Sequence, residues 1–151
     1  MGGCKRGDIE RGDIEGTETE LESNLQSVDK AEAIVLQEAK KAGFDDEVQH
    51  QIGAAVREVV VNAVVHGNRY NRNKKVYLDI GRSKNKLSVT IGDEGSGFDP
   101  NAVADPLAPD NLLRQSGRGL LLARAFVDEL DVHPRPGGGT EVRLVKNLIK
   151  S

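Results

Sequence analysis

The sequence predicts an α/β fold, a two-layer sandwich with helices against one face of a mostly antiparallel sheet. Three observations predict it. Two helical stretches come early, at 27–42 and 45–66. Two runs of alternating apolar residues follow, at 76–80 and 87–91. A further helix and two closing strands come last, so strands and helices do not alternate as in a parallel sheet.

Each element has a local cause. The pentapeptide Arg-Gly-Asp-Ile-Glu occurs at 6–10 and again at 11–15, too short to be a structural repeat. Residues 1–16 read as a weakly ordered polar tail, which leaves 17–151 as one domain. Thr17 to Ser23 reads as a first strand. Ser27 reads as a helix N-cap, and Ala31, Ile34, Val35, Glu38 and Ala42 follow helical spacing to a stop at Gly43. Asp45 opens a second helix, with Asp46 and Glu47 placing negative charge in its first turn. Val48, Ile52, Ala55, Val56, Val59 and Ala63 form its apolar stripe, and it should end near Gly67. The run Val59-Val60-Val61 favours a strand on propensity, but the segment lacks proline and any alternation of period two.

A polar loop follows, Asn68 to Lys74. Val76, Leu78 and Ile80 alternate in one strand and Leu87, Val89 and Ile91 in the next, joined by a turn from Gly81 to Lys86. Residues 93–119 are rich in Gly, Pro, Asp and Asn, and so long an irregular loop inside a domain is usually functional. A third helix is expected over 119–130, and the closing strands flank the turn from Pro134 to Gly139.

Composition narrows the function. Aromatic residues are only 3% and Trp is absent, which weighs against base-stacking nucleic-acid modules. The net charge of -3 lacks the basic excess of a phosphate-backbone binder, so no direct nucleic-acid contact is expected. The single Cys4 excludes an intrachain disulfide and fits the cytoplasm. No apolar run approaches a membrane span. Met1-Gly2-Gly3-Cys4 resembles a lipidation start, but Arg6 stands where that pattern needs Ser or Thr, so the start is expected to be unmodified.

Four clusters carry chemistry. In the first, Glu58 and Asn62 lie four residues apart on a helix and so share one side. An Asn oxygen is a hard donor suited to Mg²⁺, and a carboxylate one turn away can polarise a water or a hydroxyl. The same two residues also make an ordinary helix-face pair, and His66 fits a helix end without a catalytic role. The second cluster is Asp93-Glu94-Gly95-Ser96-Gly97. Asp93 continues the parity of Leu87, Val89 and Ile91, so its side chain points to the core face. A carboxylate there needs a donor, and the exocyclic amino group of adenine is one, whereas guanine presents a carbonyl.

The third cluster, Ser116-Gly117-Arg118-Gly119, opens a helix, where free N–H groups and close approach suit a phosphate. Arg118 or Arg114 adds a charge-assisted contact. It is not a Walker A loop, since no Gly-Lys-Ser/Thr follows. In the fourth, Thr140 after Gly137-Gly138-Gly139 shares parity with Val142 and Leu144, so its hydroxyl faces inward and backs up Asp93.

In this order and spacing the four clusters resemble the GHKL ATPase/kinase superfamily over roughly residues 55–142, with its Bergerat, histidine-kinase-like ATPase fold. Within it the chain is similar to the small bacterial anti-sigma-factor serine kinases. The resemblance implies ATP and Mg²⁺ as ligands. It implies Asn62 as the Mg²⁺ residue, Glu58 as the group that orients or deprotonates a substrate serine, and Asp93 as the reader of adenine. Gly95 and Gly97 would shape the adenine pocket, Gly117, Arg118 and Gly119 would cradle phosphates, and Thr140 would support the base, with 98–116 as a lid. Gln115 stands where the family often has a basic residue, so Arg114 and Arg118 both stay open as the γ-phosphate contact. The implied partners are a sigma factor, a STAS-type anti-anti-sigma factor and a second copy of the chain joined through the sheet edge at 17–23. A non-catalytic, nucleotide-dependent binding module is the alternative on the same residues.

Overall fold

The computed structural model describes residues 15–95 and 119–148. In chain order the described elements are β1 (Glu15–Glu22), α1 (Gln26–Ala42), α2 (Asp46–Val61) with a terminal π turn (Asn62–Gly67), β2 (Lys75–Arg82), β3 (Lys86–Gly92), α3 (Gly119–Phe126), β4 (Glu129–Pro134) and β5 (Thr140–Asn147). The strands form one sheet in the order β1-β2-β3-β5-β4, and every neighbouring pair is antiparallel. The helices cover one face, as the two-layer reading expects. Among the described residues no helix is long and apolar enough to cross a membrane.

Register puts the apolar parity on the helix side. Leu78 faces Ile91, Ile80 faces Val89, and Leu144 lies between Val89 and Leu130. All six are buried. The opposite parity (Tyr77, Asp79, Thr90 and Arg143) forms a polar outer face. α2 is the central helix, between α1 and α3. That position explains Val60, which lies off the predicted stripe and is nevertheless fully buried. A helix packed on three sides needs a wider apolar arc than a surface helix.

The helix ends follow from capping. α1 stops at Gly43, whose φ of 101° suits glycine. There the amides of Gly43 and Phe44 donate to Lys40 O and Ala39 O in a Schellman pair. Asp45 caps α2, its Oδ1 accepting from Val48 N at 2.9 Å.

Three expectations are corrected. Ser27 is not the N-cap of α1. Its amide donates to Asn24 Oδ1 at 3.1 Å, and its hydroxyl donates to Glu22 O at 2.6 Å, tying the first turn to the end of β1. The third helix ends at Phe126 rather than 130. Leu130 and Val132 alternate in β4 instead, and Leu130 completes the core against Leu144. The β2–β3 turn is tighter than expected, because Arg82 still pairs with Leu87 and Ser83 N donates to Lys86 O at 2.9 Å.

Replacing Asp45 by Ala is expected to lower the stability of the folded chain by about 1 kcal/mol, read as a shift in the urea unfolding midpoint. An unchanged midpoint would show that the Asp45–Val48 bond contributes nothing.

Candidate functional site

The site is built where the end of α2, the end of β3 and the β4–β5 hairpin meet. On α2, Asn62 N donates to Glu58 O, so the two residues lie one helical turn apart. Asn62 Nδ2 is buried and has no hydrogen-bond partner among the described residues. An orphaned buried amide is costly unless a ligand satisfies it.

Past Asn62 the helix widens. Asn68 N donates to Ala63 O at 2.7 Å, a five-residue step, and Tyr70 N donates to Val64 O at 2.9 Å, a six-residue step. Such π turns concentrate at functional positions. Arg69 and Tyr70 then adopt φ values of 54° and 60°, a conformation disfavoured for residues with side chains. His66 is exposed on this turn. A cavity of about 350 Å³ lies beside it, lined by Gly67, Asn68, Arg69, Asn71 and Lys74.

Asp93 follows the last residue of β3, and only 7% of its surface is exposed. Its Oδ1 accepts from Gly95 N at 2.9 Å and Thr140 N at 3.2 Å, while its own amide donates to Thr140 O at 2.9 Å. Burial pushes the carboxyl above the ordinary value of 3.8, and the two amide donors partly offset that rise.

The surrounding glycines are required by space. A Cβ on Gly67 would lie 2.3 Å from Asp93 Oδ2. One on Gly95 would lie 2.2 Å from Gly67 O, and one on Gly139 would meet Asp93 O at 1.8 Å. Gly139 also has a φ of 106°. Three chain segments therefore close around one carboxylate with no side chain between them.

Asn68 ties these segments together. It is 1% exposed. Its Nδ2 donates to Ser23 Oγ at 2.7 Å and Lys75 O at 2.9 Å, and its Oδ1 accepts from Glu94 N at 2.7 Å.

The structure thus brings Asp93, Gly95 and Thr140 into direct contact, and puts Glu58 and Asn62 on the helix whose end abuts Asp93. Thr140 reaches Asp93 through its main chain. Gly119 opens α3, whereas Gly97, Gly117 and Arg118, with Arg114 and the expected lid at 98–116, lie outside the described residues. Sequence reasoning did not single out Asn68 or Glu94. The parity that turned Asp93 inward also turns Glu94 outward and could have flagged it; Asn68 stood out only as the start of an Asn-rich loop.

A buried carboxylate and an unpaired buried amide thus lie on adjoining elements. The chain matches the family described as the histidine kinase-like ATPase domain over residues 21–146 and belongs to that family, which is a nucleotide-binding one. Its relatives include the anti-sigma F factor of Bacillus subtilis strain 168, 35% identical over 105 residues, which cover 67% of this chain and 70% of that protein. The anti-sigma F factor of Thermoanaerobacter sp. strain X514 is 34% identical over 99 residues, covering 64% and 68%. In fold, the chain is similar to the crystal structure of the RsbU and RsbW domains of a Mycobacterium tuberculosis protein. The TM-score is 0.65 at 18% identity, covering 91% of this chain and 33% of that one.

The raised carboxyl of Asp93 has a signed consequence. Between 3.8 and its raised value the folded chain holds a proton that the unfolded chain has lost. Stability contributed by this group therefore falls as pH rises through that window. Urea unfolding of the parent and of Asp93→Asn, from about pH 4 to about pH 7, is expected to show that fall in the parent and its loss in the variant. Parallel curves would contradict the burial of an ionisable group here.

Proposed function

We propose that the protein is an anti-sigma factor and an ATP-dependent serine-protein kinase. On this reading it binds a sigma factor and phosphorylates a serine of a STAS-type anti-anti-sigma factor. The observation that carries the reading is the buried Asp93 carboxylate, an acceptor held by two main-chain amides and framed by Gly67, Gly95 and Gly139. Adenine offers an amino donor to such an acceptor, and guanine would set a carbonyl against it. Relatives named anti-sigma F factor support the sigma-factor partner.

The residues divide the work by position. Asp93 receives the base. The unpaired donor end of Asn62 suits a phosphate oxygen, and its oxygen suits Mg²⁺. Bound there, Mg²⁺ would neutralise charge on the triphosphate. Among the described residues no group of three or more His, Cys, Asp or Glu is placed to hold a metal, so Asn62 would share the ion with the phosphates. Glu58, one turn earlier, orients the substrate serine hydroxyl and accepts its proton as the serine oxygen bonds to the γ-phosphorus and ADP leaves. Gly117, Arg118 and Gly119 are the residues for the phosphates. β1 pairs only with β2 among the described residues, and that edge is the surface for a second copy.

Incubation with Mg-ATP and a STAS-domain partner is expected to add about 80 Da to the partner, the mass of one phosphoryl group. Glu58→Ala should abolish the transfer and keep ATP binding, while Asn62→Ala should lose the Mg²⁺-dependent part of the affinity. ATP binding with no change in partner mass would overturn the kinase and leave a nucleotide-dependent binding module. Transfer by Glu58→Ala at the parent rate would overturn the role of Glu58.

A further inference from the structure

Asp93 faces the helices, and Glu94, the next residue, faces the other side of the sheet. The Glu94 amide donates to Asn68 Oδ1. Its Oε2 accepts from Lys75 N at 2.8 Å and from the Tyr77 hydroxyl at 2.7 Å. One side chain therefore joins the end of β3 to the start of β2, and its amide joins both to the end of α2. These donors hold the Glu94 carboxyl below its ordinary value, so it is ionised at neutral pH and both bonds are charge-assisted.

The chain of contacts continues across the outer face. The Arg135 guanidinium lies 4.2 Å from the centroid of the Tyr77 ring. Gly92 leaves the room, since a Cβ there would come within 3.2 Å of Arg135 Cδ. Arg135 also braces the β4–β5 hairpin. Its Nη1 donates to Gly138 O at 3.0 Å and its amide to Gly139 O at 2.9 Å. Gly139 and Thr140 are the backbone that lies against Asp93. Glu94, Tyr77 and Arg135 thus connect the two segments that hold the Asp93 carboxylate, from the face away from the helices.

We propose that Glu94, acting through Tyr77 and Arg135, is a positioning residue for the base end of the site: it fixes segments 93–95 and 138–140 relative to each other, and so sets the preference for a base bearing an amino group. The inference rests on Asp93 as the acceptor for adenine. It assigns the adenine preference in part to residues that touch no ligand. A carboxylate discriminates by orientation, and the orientation of Asp93 is held by the amides of Gly95 and Thr140, one on each segment.

The test uses the full chain and two probes, Mg-ATP and Mg-purine riboside triphosphate, which has the same ring system without the exocyclic amino group. Calorimetry gives both Kd values for the parent, Glu94→Ala, Glu94→Gln, Tyr77→Phe and Asp93→Ala, with melting temperatures alongside. The advantage of ATP over the amino-less nucleotide is expected to shrink about tenfold in Glu94→Ala and about threefold in Tyr77→Phe, the scale of losing hydrogen bonds to a charged group. Glu94→Gln should recover part of it, because its amide oxygen still accepts. Equal weakening of both nucleotides, with or without a lower melting temperature, would reduce Glu94 to a structural role and overturn the inference. So would an unchanged advantage in Glu94→Ala, provided Asp93→Ala removes it. If Asp93→Ala keeps the advantage, the adenine reading itself fails, and this inference fails with it.

Discussion

A carboxylate stripped of most of its water must be held by donors, and the architecture around Asp93 supplies them from the main chain. Gly95 N and Thr140 N both reach Oδ1. Main-chain amides carry fewer free torsions than side-chain donors, so they hold a side chain more rigidly than another side chain would. The arrangement works only if three backbones approach within a distance that admits no Cβ, and Gly67, Gly95 and Gly139 meet that condition. The sheet order places the end of β3 beside the start of β5, and α2 runs so that its end arrives at the same point. The rest of the core, from Val35 in α1 to Leu144 in β5, keeps those three ends together.

The π turn reconciles two demands on α2. Glu58 and Asn62 need regular helical spacing to share one side, while Gly67 has to reach the Asp93 carboxylate. Widening the last turn moves the helix end without disturbing the residues before it. The cost appears immediately afterwards, in the left-handed conformations of Arg69 and Tyr70. Asn68 offsets part of that strain by bonding three different segments from a fully buried position.

Much of this was legible in residue order. Period-two alternation located β2 and β3 and turned Asp93 inward, and capping chemistry located Gly43 and Asp45, because these signals are local. What was not legible depends on partners distant in sequence. Ser27 looks like a cap until Asn24 and Glu22 are seen to take its amide and hydroxyl. The segment after Phe126 continues an amphipathic pattern, and only pairing with β5 makes it a strand. Thr140 has the right parity, but its link to Asp93 is through an amide that every residue but proline carries. Glu94 reads as one more loop acid until Tyr77 and Lys75 are brought to it by the β2–β3 register.

The central claim is that Asp93 and Asn62 meet opposite ends of one nucleotide. A crystal structure of the chain with Mg²⁺ and a non-hydrolysable ATP analogue tests it most directly. The expected result has the adenine amino group within hydrogen-bond distance of Asp93 and the Asn62 amide at the metal and phosphates. An analogue that touches only one of the two, or neither, would contradict it.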